Sequence, residues 1–91
     1  MVKLYYGVLG DNCVFELLGT PTRDSNILKI HSNNEGRDIY CSYDIHDIDV
    51  MRIVRILSHM ERMYNRWSTE KICNLLNKEC EYLYIDVDKL R

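Results

Sequence analysis

The 91-residue chain has no alanine, no glutamine, a single proline and only four glycines. Gly7 and Gly10 are too sparse to form a phosphate-cradling loop. No apolar run approaches the ~20 residues needed to span a bilayer, and the first residues lack the basic, apolar and small-residue order of a secretion signal. Repeats, low-complexity tracts and linkers are absent as well. The net charge of −2 is not the strong basic excess of a general nucleic-acid binder. Cys13, Cys41, Cys73 and Cys80 form neither a C-x-x-C pair nor zinc-finger spacing. Cys13 and Cys41 alternate in phase with apolar neighbours, as small buried residues do in reducing compartments, so free thiols are expected and a disulfide stays open. The expectation is one intracellular, cytoplasmic domain over residues 1–91, with no cofactor, metal site or membrane partner.

The missing alanine and glutamine accompany many Ile, Asn, Asp and Tyr residues. That bias is what an A+T-rich genome produces, and such genomes are frequent among viruses, phages and low-GC bacteria. It is an association with origin and carries no physics.

Alternation dominates the first half. Val2, Leu4, Tyr6 and Val8 recur at period two, Gly10-Asp11-Asn12 signals a turn, and Cys13 to Leu18 reads as the returning arm of a hairpin. Gly19 to Ser25, with Pro21, reads as the longest loop. Ile27, Leu28 and Ile30 mark a third strand, residues 32–36 a polar turn, and Asp38 to Tyr43 a fourth strand with Ile39, Cys41 and Tyr43 on one face. An antiparallel meander with one buried face follows.

The pattern then changes period. Asp44 is placed to cap a helix with Asp47 three residues on, Tyr43 and Ile48 are placed to form its hydrophobic staple, and Asp47 and Asp49 suit the positive end of its dipole. From about 45 to 66, Ile45, Ile53, Ile56, Leu57, Met60, Met63 and Tyr64 share one face of a helix of roughly 30 Å. Met51 and Val54 fall outside that face, where burial by the next helix is the plainest reading and a partner or homodimer contact the alternative. Ser68 caps a second helix through about Lys78, with Ile72, Leu75 and Leu76 at core spacing. Glu81 to Val87 returns to alternation and predicts a closing strand. The predicted fold is α+β, in the order β-β-β-β-α-α-β.

Arg52, Arg55, His59, Arg62 and Arg66 recur at steps of three and four, so one narrow helix face carries all five. Within the predicted helix, Asp49 beside Arg52 is the only acid three or four residues from any of them. Arginine's planar fork donates two parallel hydrogen bonds to a carboxylate or phosphate. The same pattern also describes a solvated face whose stems cover apolar surface. An acidic protein surface or a small anionic ligand is favoured over nucleic acid, and a homodimer stays open.

Three further patterns are weaker. Asp44, His46, Asp47 and Asp49 could hold a hard divalent metal or serve acid–base chemistry in a small hydrolase, but a helix start explains nearly all of them. His31 and His59 stand apart from any nucleophile motif, and no catalytic residue is assigned. The seven tyrosines include one adjacent pair, Tyr5 and Tyr6, which must point to opposite faces of a strand, and tyrosine and arginine are enriched at binding hot spots. The expected function is non-catalytic binding, as in a viral or phage accessory factor that inhibits or sequesters a host component.

Overall fold

Cys13, Phe15 and Leu17 alternate with Val14, Glu16 and Leu18, and the first set is fully buried. In the computed structural model, which describes residues 2–20, 25–63 and 67–90, the strand that carries them is the second of four. These are β1 (Val2–Leu9), β2 (Cys13–Gly19), β3 (Asn26–Asn34) and β4 (Arg37–Ile45). They pair antiparallel in the order β1-β2-β3-β4, the simplest meander. The expected loop around Pro21, Tyr64 and Arg66 lie outside the described residues, apart from the loop's ends, where Thr20 N donates to the Ser25 carbonyl at 3.2 Å.

The period-two reading of β1 fails at one residue. Pairing passes from Lys3↔Leu18 to Tyr5↔Leu17, so Leu4 is an unpaired bulge. The bulge shifts the phase: Tyr5 and Leu9 are buried, whereas Tyr6 and Val8 are exposed. Gly7 serves the buried face, because any Cβ there would collide with the Tyr5 hydroxyl. With that space open, the Tyr5 hydroxyl donates to Glu61 Oε2 at 3.0 Å, with the Leu57 carbonyl 3.4 Å away.

Strand β3 is longer than its apolar residues suggest. Ser32, Asn33 and Asn34 pair with Ile39, Asp38 and Arg37, so the expected five-residue turn shrinks to Glu35 and Gly36, both at positive φ, as a two-residue hairpin turn requires.

Helices α1 (Asp47–Arg62) and α2 (Thr69–Glu79) cover the inner face of the sheet. Phe15, Leu17, Leu28 and Ile30 from the strands meet Ile53, Leu57, Met60, Ile72 and Leu76 from the helices in one core. Helix α1 starts later than predicted and ends four residues earlier. Asp44 is not its cap, because β4 continues to Ile45, held extended by Ile27↔Asp44 and Asn26↔Ile45 pairing. His46 caps instead, with Nδ1 accepting from Ile48 N, and Ile48 is exposed rather than stapled to Tyr43. The Asn26 side-chain amide locks this junction by donating to Asp47 Oδ1 at 2.6 Å. At the other end Met63 is the cap residue, and it too is exposed rather than on the core face.

Ser68 caps α2 as its position predicts, accepting from Lys71 N. The β1–β2 turn adds a second clamp: Thr69 N donates to Asp11 Oδ2, and Asp11 N donates to Thr69 Oγ1. Gly10 permits this approach, since its φ is +61° and an added Cβ would lie 2.8 Å from Thr69 N.

The predicted C-terminal strand is absent among the described residues. Residues 81–86 lie outside the sheet and lead into a 3₁₀ turn, Val87–Leu90. The side-chain alternation is real, with Leu83 and Ile85 buried and Tyr82 and Tyr84 exposed. Side chains replace the missing ladder. Buried Asp49 accepts from Glu81 N at 3.0 Å and Tyr82 N at 2.9 Å, while Asn77 accepts from Ile85 N and donates to the Ile85 carbonyl.

Candidate functional site

Capping at His46 and burial of Ile53, Leu57 and Met60 fix the rotation of α1. That rotation turns Arg52, Arg55, His59 and Arg62 outward, and all four are exposed. They divide by partner. Arg52 donates to the Glu79 carbonyl at 3.0 Å, closing the C-terminal end of α2, where carbonyls lack partners and the dipole is negative. No described residue forms an ion pair with Arg55, His59 or Arg62. Beside them, Arg52, Arg55, Ile56, Leu75 and Glu79 line an open groove of about 490 Å³ between the helices.

Tyr82 adjoins the start of this surface. Its backbone N–H is fixed by Asp49, its ring lies 4.6 Å from that of His46, and it follows Glu79 by three residues. The remaining exposed tyrosines lie elsewhere: Tyr84 further along the C-terminal segment, Tyr6 and Tyr40 on the outer face of the sheet.

His46, Asp47 and Asp49 each have a structural task. His46 caps α1, Asp47 receives Asn26, and Asp49 holds the 81–82 backbone. Asp44 is exposed on β4. Among the described residues no three of His, Cys, Asp and Glu gather so as to hold a metal ion.

Met51 and Val54 do not pack under α2. With Leu4, Gly19, Val50 and Asp47 they line an open groove of about 430 Å³ between α1 and the β1 edge, and Met51 is 66% exposed. The bulge at Leu4 supplies the strand side of that groove.

The four cysteines are free. Burial pushes Cys13 and Cys80 up to about 11 and Cys73 up to about 12, so these thiols are protonated at neutral pH. Burial, then the neighbouring Cys41, pushes Tyr43 up to about 12. The Tyr5 hydroxyl is raised further still, by burial first and by Glu61 second.

A polar and aromatic group on the outer sheet face escapes sequence reasoning. His31 stacks on Tyr40 with ring centroids 4.2 Å apart and planes 3° from parallel. His31 Nε2 also lies 3.2 Å from Asp38 Oδ1, which accepts from Asn33 Nδ2 at 2.8 Å. These hydrogen bonds hold the Asp38 carboxyl below the usual aspartate range. The signal was the hairpin register, which aligns His31 with Tyr40 only once the turn is reduced to two residues.

The class this defines is a small α+β domain with an antiparallel sheet covered on one face by two helices, and with its charged and aromatic groups spread over open surfaces. No helix among the described residues is long and apolar enough to cross a membrane. No model of a known family matches the chain, and neither does any curated protein or solved structure.

Proposed function

We propose that this protein is a non-catalytic binding domain that docks an acidic protein surface on the exposed side of α1. Arg55 and Arg62 supply bidentate donors, His59 lies between them, and Tyr82 is the adjacent aromatic anchor. One observation carries the reading: three neighbouring basic side chains are exposed without a carboxylate partner among the described residues, while Arg52 is engaged by the fold itself. A charged row that only supported the helix would gain from local acids, as i, i+4 pairs do. A factor of this kind acts by occupancy, sequestering or inhibiting what it binds, and the compositional bias fits a viral accessory protein.

The test recovers the tagged full-length protein from its native cells beside an Arg55→Glu/Arg62→Glu variant, with and without nuclease. An acidic protein captured by the wild type and lost from the double variant is the expected result. Equal capture by both overturns the reading, and capture abolished by nuclease transfers the stripe to nucleic acid.

A further inference from the structure

The outer face of the sheet carries three cross-strand rows. Register aligns Val8, Val14, His31 and Tyr40 in the first, Tyr6, Glu16, Lys29 and Ser42 in the second, and Lys3, Leu18, Ile27 and Asp44 in the third. Both helices pack on the opposite face. Tyr6, Val8 and Tyr40 are 53%, 57% and 72% exposed, an apolar and aromatic area of the kind that marks an interaction surface. Its charges are incompletely matched. Lys3 pairs with Glu16 at 3.3 Å, whereas neither Lys29 nor Asp44 has an ion-pair partner among the described residues.

We infer that this face is the contact surface of a homodimer whose twofold axis runs parallel to the strands, between β2 and β3. Such an axis exchanges β1 with β4 and β2 with β3 at unchanged height along the strands, so each row meets its own reverse. Glu16 then faces Lys29 of the second copy, and Lys29 faces its Glu16. Lys3 faces Asp44 of the second copy, so both unmatched charges of one chain find opposite charges on the other. Of the apolar positions, Leu18 meets Ile27 and Val8 meets the Tyr40 ring, while Tyr6 meets Ser42 and Val14 meets His31.

The interface is isologous, as twofold dimers require. Sheets packed face to face lie about 10 Å apart and cross at about −30°. The central pairs Glu16–Lys29, Leu18–Ile27 and Val14–His31 therefore superpose best, and the long Lys3 side chain spans the displaced corner to Asp44. The other in-plane axis, perpendicular to the strands through the middle row, sets Glu16 on Glu16 and Lys29 on Lys29. Like charges across an interface select against it. In the favoured dimer the helices lie outermost, which leaves the α1 surface of each copy open.

The test measures the mass of the full-length protein in solution by sedimentation as concentration rises. The wild type is expected to associate into dimers in the micromolar range, the regime of a small interface. Lys29→Glu and Glu16→Lys each place like charges opposite one another and should weaken association at least about tenfold. An equimolar mixture of the two variants restores every opposite-charge pairing of the middle row and should recover dimers. These are exposed or half-buried positions on the outer face, and circular dichroism of each variant verifies the fold. A wild type that stays monomeric overturns the proposal and leaves the face to a foreign partner. Single variants that dimerise like the wild type, or a mixture that does not, overturn it as well.

Discussion

The two faces of this sheet are made by the same four strands, yet they follow different rules. Inside, Phe15, Leu17, Leu28 and Ile30 touch two helices and lose all or nearly all contact with solvent. Outside, one residue away along each strand, apolar side chains share the surface with charges, of which Lys3 and Glu16 pair while Lys29 and Asp44 have no ion-pair partner among the described residues, and these positions stay exposed or half-buried. A residue on the inner face is chosen by volume. On the outer face, charge and reach matter instead, because monomer stability asks little of those positions.

The sharpest way to break the comparison is Phe15→Ala. It should cost about 3–5 kcal/mol in urea unfolding, the range for deleting a buried aromatic ring; a loss under about 1 kcal/mol would show that the inner face is not close-packed. Asp49→Ala comes next, at about 2–4 kcal/mol, because it orphans the N–H groups of Glu81 and Tyr82. Recovery of wild-type stability in that variant would mean that residues 81–86 need no carboxylate.

Alkali probes the inner face with a smaller effect, reduced where the groups are partly solvated. Cys13, Cys73 and Cys80 ordinarily ionise near 9.0 and are raised to about 11, 12 and 11, and Tyr43 is raised from 10.0 to about 12. A raised pKa in the folded state gives stability that is whole below the unfolded value and lost as pH climbs through the folded one. Unfolding midpoints should therefore fall between about pH 9 and 12, and a flat profile there would contradict thiol burial. Last, Tyr40→Ser on the outer face should change monomer stability by no more than about 1 kcal/mol, the range for losing a cross-strand aromatic pair such as its stack on His31. A loss comparable to Phe15→Ala would abolish the distinction between the faces.

Much of this architecture was legible in the sequence. Alternation marked β1, β2 and β4 and an apolar cluster marked β3, Ser68 announced α2, and the steps of three and four set Arg52, Arg55, His59 and Arg62 on one side of α1. The errors share a cause: each depends on a partner remote in sequence. The bulge at Leu4 exists only in register with β2, and Ile45 stays extended because Asn26 is opposite it. Arg52 stood apart in the row by having Asp49 three residues before it, yet Asp49 holds the backbone at 81–82 and Arg52 is engaged by a carbonyl 27 residues away. Period two located the exposed and buried sides of residues 82–85 correctly, whereas Asp86 and Val87 are both half-buried. It could not reveal that Asp49 and Asn77, rather than a neighbouring strand, would receive the backbone. The outer-face rows were similarly hidden, since each is assembled from four strands whose alignment turns on two hairpins and one loop.

The attachment of residues 81–86 has a consequence for the order in which the molecule opens. Their amide protons at Glu81, Tyr82 and Ile85 are held by two side chains, so releasing those side chains frees the segment without parting any strand from its neighbour. Amide exchange there should proceed through a local opening that the sheet does not share, faster than exchange in the central strands β2 and β3. Leu83 and Ile85 leave the core in that same opening, which uncovers the helix layer before the sheet yields.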